Sequence, residues 1–101
     1  MAITSQASPD GVELTIAVNG RFDFSAHQDF RKAYENVTGQ PQKYRVDMRD
    51  ATYLDSSALG MLLLLRDHAG GDDADIAIIN CNDDVKKILT ISNFDQLFSI
   101  P

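Results

Sequence analysis

"YLDSSALGMLLLLRD", residues 53–67, sets a short polar cluster directly ahead of a greasy run. Leu62, Leu63, Leu64 and Leu65 stand in a row, which assigns the segment to a protein interior. Asp55, Ser56 and Ser57 before them are small, polar and hydrogen-bonding. A helix start leaves its first N–H groups without partners, and aspartate or serine supplies an acceptor. Three good caps in succession exceed what one helix end needs. The cluster either starts a helix redundantly or keeps a hydroxyl for chemistry.

The pattern predicts a helix from about Ser57 to Ala69, ended by Gly70 and Gly71. It is apolar on most of its circumference, so burial between a sheet and something else is expected. Upstream, Tyr44, Val46 and Met48 alternate with Arg45, Asp47 and Arg49, the period of a strand. Downstream, "DIAIIN" at 75–80 is a continuous apolar run, expected for a central parallel strand. Strand 44–49, helix 57–69 and strand 75–80 then form a βαβ crossover. In such units the loop after the strand's carboxyl end carries the functional groups, and "DATYLDSS" is that loop.

Further out, "SPDG" at 8–11 is a turn signal. Val12, Leu14, Ile16 and Val18 then alternate with Glu13, Thr15 and Asn19 as a half-buried strand, with Ile3 to Gln6 pairing across the turn. Ser25 and Gln28 have capping-box spacing ahead of Ala26, Phe30, Ala33, Tyr34 and Val37 at helical spacing. "TGQP" at 38–41 stops that helix. Asn82 is placed to cap a helix carrying Val85, Ile88 and Leu89, and Phe94, Leu97 and Phe98 of the tail pack back. The order predicts a single α/β domain over residues 1–101, a mixed β-sheet with α-helices packed against it.

A chain of 101 residues with 44% hydrophobic and 24% charged residues suits one globular domain held by its own core. The net charge of -6 disfavours nucleic acid and anionic membranes, whose phosphates repel it. Cys81 is the single cysteine, so no internal disulfide forms, as suits a reducing cytoplasm. "MAITSQASPD" lacks the basic-then-apolar pattern of a secretory signal. The run Met61 to Leu65 falls far short of the roughly 20 residues of a membrane span. A cytoplasmic protein is expected.

Serine-based hydrolysis needs a general base against the hydroxyl. The two histidines, His27 and His68, fall at helix ends, and "LDSSALG" lacks the glycine of a nucleophile elbow. One cysteine and two distant histidines give no zinc spacing, and phosphate-loop and dinucleotide glycine patterns are absent. No enzyme activity, metal or cofactor is expected. A hydroxyl at a helix start does suit phosphorylation, because the helix dipole and free N–H groups stabilise a phosphate. Phosphoserine adds about -1.5 to -2 charge at pH 7. The fold tolerates that group, while an apolar or acidic contact surface does not.

At these residues the chain resembles a family. "YLDSSALGMLLLL" is similar to the phosphorylation-site motif of STAS-domain anti-sigma factor antagonists, usually Asp-Ser-Ser/Thr-Gly-Leu-Gly. "VNGRFDF" at 18–24 resembles their Gly-Glu-Leu-Asp segment, and "VKKILTISNFDQLFSI" at 85–100 their C-terminal helix and ending. The likeness covers about residues 12–100, and the chain's shortness suggests the stand-alone bacterial antagonists of HsbA type. The resemblance implies partner switching. An unphosphorylated antagonist binds an anti-sigma factor, often itself a serine kinase, and frees a sigma factor. The kinase phosphorylates the antagonist and separates the complex. A PP2C-type serine phosphatase, in the HsbA type a response regulator, restores binding.

Carried over residue by residue, the motif puts the phosphate on Ser56 and partner contacts on Asp23, Asp55 and Ser57. Ser57 also supports the helix start. Ala58 replaces the family glycine after the hydroxyl pair, and Arg21 replaces the family glutamate. The alternative is an accessory STAS subunit of a membrane transport complex, in which Ser56 contacts an ATPase without being phosphorylated.

Overall fold

A computed structural model of the protein describes residues 3–37 and 41–101. Strand β1 (Ile3–Ala7) runs antiparallel to β2 (Glu13–Phe22). Helix α1 (His27–Glu35) leads to β3 (Lys43–Leu54), which lies parallel to β2. Helix α2 (Ser56–His68) leads to β4 (Ile76–Ile79), parallel to β3. Helix α3 (Asp83–Ile91) and a 3-10 turn, Phe94–Gln96, complete the order. The sheet order is β1-β2-β3-β4, so the chain is the expected mixed α/β sheet with helices against it.

Period-2 patterning puts Leu14, Ile16 and Val18 of β2, Val46 and Met48 of β3, and Ile78 of β4 on one sheet face, each almost wholly buried. They share one core with Phe30 and Tyr34 of α1, Ala58, Leu62 and Leu65 of α2, and Val85 and Leu89 of α3. The opposite sheet face is polar, with Glu13 and Arg45 paired at 3.1 Å.

The stretch read as the loop "DATYLDSS" is mostly strand. β3 continues to Leu54, leaving Asp55 alone between strand and helix. Alternation stops at Met48 because the β2–β3 register shifts twice. Ala17 pairs with Asp47 but Asn19 with Asp50, and Gly20 pairs with Ala51 but Arg21 with Tyr53. Each shift gives β3 one extra residue, a bulge that moves the inward phase by one. The buried positions after Met48 are therefore Ala51 and Leu54, at intervals of three. Gly20 sits between the shifts at φ +83, a conformation that costs a residue with a Cβ.

β4 lies at the end of the sheet order instead of its centre. Its apolar run is explained by the tail, which seals its outer side. Ser99 N–H donates to the Ile76 carbonyl at 3.0 Å, and Ile78 N–H donates to the Ser99 carbonyl at 2.8 Å. Phe94 and Phe98 are buried there with ring centroids 5.5 Å apart, while Leu97 stays exposed.

The start of α1 also differs from the capping-box reading. A 3-10 turn, Phe24–Ala26, precedes α1, and Asp23 caps that turn by accepting the Ser25 N–H at 3.0 Å. Ser25 spends its hydroxyl on Asp23 instead of reaching into α1. α1 ends at Glu35, and Thr38 to Gln40 of the predicted stop signal lie outside the described residues. Asn82 caps α3 as expected, accepting from Val85 N–H at 2.8 Å.

Candidate functional site

The second bulge brings the candidate residues together. With Phe22 paired to Leu54, both side chains enter the core and both strands end in register. Asp23 and Asp55 then follow on adjacent parallel strands, and Asp55 N–H reaches the Phe22 carbonyl at 3.4 Å. The two carboxylates lie close enough that the charge on Asp23 opposes ionisation of Asp55.

Asp55 is the N-cap of α2. Its Oδ1 accepts the Ser57 hydroxyl at 2.6 Å and the Ala58 N–H at 3.0 Å. Those bonds, the hydroxyl first, hold its carboxyl below the ordinary carboxylate value. Asp23 repeats the arrangement with Ser25. The Ser25 hydroxyl and N–H lower its pKa most, and Arg21 adds to them. Capping of α2 thus falls to Asp55 with support from Ser57, and Ala58 beneath them is fully buried.

Ser56 takes no part in this. It is the first residue of α2, it is exposed, and its hydroxyl bonds no group among the described residues. The cluster is therefore not three caps in a row. It is one cap, one supporting hydroxyl and one hydroxyl turned to solvent.

α2 is not enclosed on both sides. Ala58, Met61, Leu62 and Leu65 fall at i, i+3, i+4 and i+7 and form its buried stripe. Leu63 and Leu64 lie off that stripe, 39% and 54% exposed. Ser56, Gly60 and Leu63 recur at i, i+4 and i+7, so the free hydroxyl and an exposed leucine share the outward face. Phe24 opens the 3-10 turn two residues after β2, 68% exposed and stacked on His27 at 5.0 Å. This apolar surface was missed in the sequence, although the same helical spacing that identifies the buried stripe excludes Leu63 and Leu64 from it.

In the sequence Arg21 stands out only as a departure from the family motif. In the structure it sits opposite Tyr53, its guanidinium 4.4 Å from the ring centroid and its Nε 3.4 Å from Asp23 Oδ2. Among the described residues, neither histidine is hydrogen-bonded to Ser56. His27 stacks on Phe24, and His68 packs on Tyr34 at 4.9 Å. Both line a groove of about 310 Å³ between α1 and α2, with Phe30, Met61 and Leu64. Among the described residues, no group of three or more His, Cys, Asp or Glu side chains is placed to hold a metal.

The arrangement parallels known proteins. The family model described as "Mlab, STAS domain" matches residues 5–99. A STAS-domain containing protein of Pseudomonas aeruginosa (strain UCBPP-PA14) is 68% identical over 100 residues, covering 99% of each chain. The anti-sigma factor antagonist SpoIIAA in its unphosphorylated form superposes with a TM-score of 0.76 at 15% identity, over 99% of this chain and 87% of that one. The Bacillus protein in its phosphorylated form gives 0.74 at 15% identity, over 99% and 91%. A sulfate transporter family protein from Wolinella succinogenes gives 0.74 at 16% identity, over 93% and 80%. At such identities the superpositions show a shared fold alone; the family model matching residues 5–99 and the 68% identical relative show that this chain belongs to the STAS-domain family.

Proposed function

We propose that the protein is an anti-sigma factor antagonist that works by partner switching. The unphosphorylated form binds an anti-sigma factor through the outward face of α2 and the adjoining strand ends. Phosphorylation of Ser56 by a serine kinase releases it, and a PP2C-type serine phosphatase, of response-regulator type, resets it. Asp23, Asp55 and Ser57 contribute to the contact. The protein acts in the cytoplasm and turns over no substrate of its own. No helix among the described residues is long and apolar enough to cross a membrane.

One observation carries the reading. The Ser56 hydroxyl is exposed and bonds no group among the described residues while its neighbours do the capping, and it shares a helical face with exposed Leu63. A hydroxyl that serves no fold contact beside an apolar surface suits a switch. An anion there leaves the domain intact and puts charge into a contact that must shed water. An unmatched charge in such a contact costs about 2–5 kcal/mol of binding.

The second reading, an accessory subunit of a membrane transport complex, draws support from the Mlab description of the family model and from the transporter-family neighbour. There Ser56 touches an ATPase and is never phosphorylated. Calorimetric binding of an anti-sigma factor to the Ser56→Ala and Ser56→Asp variants tests the first reading. Ser56→Ala is expected to bind as tightly as the unmodified protein and Ser56→Asp more weakly, with both folded. Equal binding by both variants contradicts it.

A further inference from the structure

We propose that Arg21 is an internal latch for a phosphate on Ser56, leaving its place between Tyr53 and Asp23 to hold the phosphate once one is attached. The inference rests on the reading of Ser56 above and names how that site is regulated.

Arg21 is held loosely. Its Nε–Asp23 Oδ2 separation of 3.4 Å exceeds the ~2.7–2.9 Å of a good charge-assisted bond. Its side chain is 67% exposed, so stacking on Tyr53 and pairing with Asp23 together restrain it weakly. Asp23 does not depend on Arg21, because its other oxygen is occupied by the Ser25 hydroxyl and N–H. The guanidinium therefore moves at little cost.

A phosphate on Ser56 gives it a reason to move. The residue next to Ser56 is Asp55, whose carboxylate already feels that of Asp23. A phosphate dianion placed beside two carboxylates is repelled by both. Arg21 is the guanidinium these strand ends carry, opposite Tyr53 and two residues before Asp23. Arg31, Arg45 and Arg66 are paired elsewhere with Glu35, Glu13 and Asp72, and Arg49 lies in β3 five residues before its end at Leu54. His27 stacks on Phe24 in the turn that follows Asp23. A phosphate offers more charge and more acceptor oxygens than the Asp23 carboxylate, in a geometry suited to the guanidinium fork. The phosphorylated surface then differs by more than the phosphate. Tyr53 loses its covering cation and Asp23 its counter-charge.

The test installs phosphoserine at position 56 of the full chain by genetic encoding and titrates the phosphate by phosphorus NMR. A neighbouring cation favours the dianion and lowers its second pKa. Arg21→Gln is expected to raise that pKa by about half a unit, while Arg45→Gln, on the open sheet face, leaves it in place. The Arg21 Nε–H resonance is expected to shift between the unmodified and phosphorylated chains. Equal pKa values with and without Arg21, or equal shifts from Arg21→Gln and Arg45→Gln, overturn the latch. Because no kinase is used, absence of phosphate on Ser56 in cells counts against the switch and leaves this result standing.

Discussion

Ser56→Ala and Ser57→Ala, made one at a time, are expected to separate sharply in a thermal melt. Ser57 is partly buried and donates its hydroxyl to the capping carboxylate of Asp55 at 2.6 Å. Losing a side-chain hydrogen bond of this kind costs about 1 kcal/mol. In a domain of this size 1 kcal/mol moves the melting temperature by roughly 4–8 °C. Ser56 is exposed and its hydroxyl makes no bond among the described residues, so its removal takes away no hydrogen bond that the fold shows there. Alanine is the better helix former by about 0.5 kcal/mol in a helix interior, and by less at the first position. The expected result is no change or a small rise for Ser56→Ala and a fall of several degrees for Ser57→Ala, by circular dichroism at neutral pH. A fall for Ser56→Ala as large as that for Ser57→Ala refutes the reasoning, because the first hydroxyl would then be holding the helix start.

Leu62→Ala empties a fully buried position and is expected to cost about 2–5 kcal/mol in urea unfolding. Leu64→Ala, at a half-exposed position, is expected to change stability by less than about 0.5 kcal/mol and to weaken partner binding. Acid sensitivity follows from the cap. The Asp55 carboxyl is held below its ordinary value of 3.8, chiefly by the Ser57 hydroxyl, so between the folded and unfolded pKa values the unfolded chain binds more protons. The stability it contributes is present above 3.8 and is lost as pH falls through the lower folded value. Asp55→Asn is expected to flatten the acid limb of the urea midpoint in part, because Asp10 and Asp23 are shifted the same way and remain.

The parts of the fold governed by unbroken periodicity were legible in the sequence. β2 alternates cleanly at Leu14, Ile16 and Val18, and the first half of β3 does the same at Tyr44, Val46 and Met48. Asn82 also declared its cap, because its acceptor meets Val85 N–H three residues on. The second half of β3 was hidden. Two bulges change the inward interval from two to three, and no alternation template follows such a phase change. That concealed the way Asp23 and Asp55 come side by side and Arg21 comes to face Tyr53. The position of β4 was hidden for another reason. An edge strand reads as a central one when the tail supplies its missing neighbour, and the Ser99 contacts link residues far apart in sequence. In the candidate site, the sequence marks Asp55, Ser56 and Ser57 alike as residues suited to a helix start. Their division of labour needed the hydrogen bonds, because three residues that are equal as caps differ only in where their oxygens point.

The measurement that bears most directly on the central claim is site-resolved mass spectrometry of the protein from its native cell, with and without phosphatase treatment. The expected result is one phosphate, on Ser56, removed by the phosphatase. A protein carrying no phosphate under any growth condition, or carrying it on Ser57 or Thr52 instead, contradicts the assignment of Ser56 as the switch.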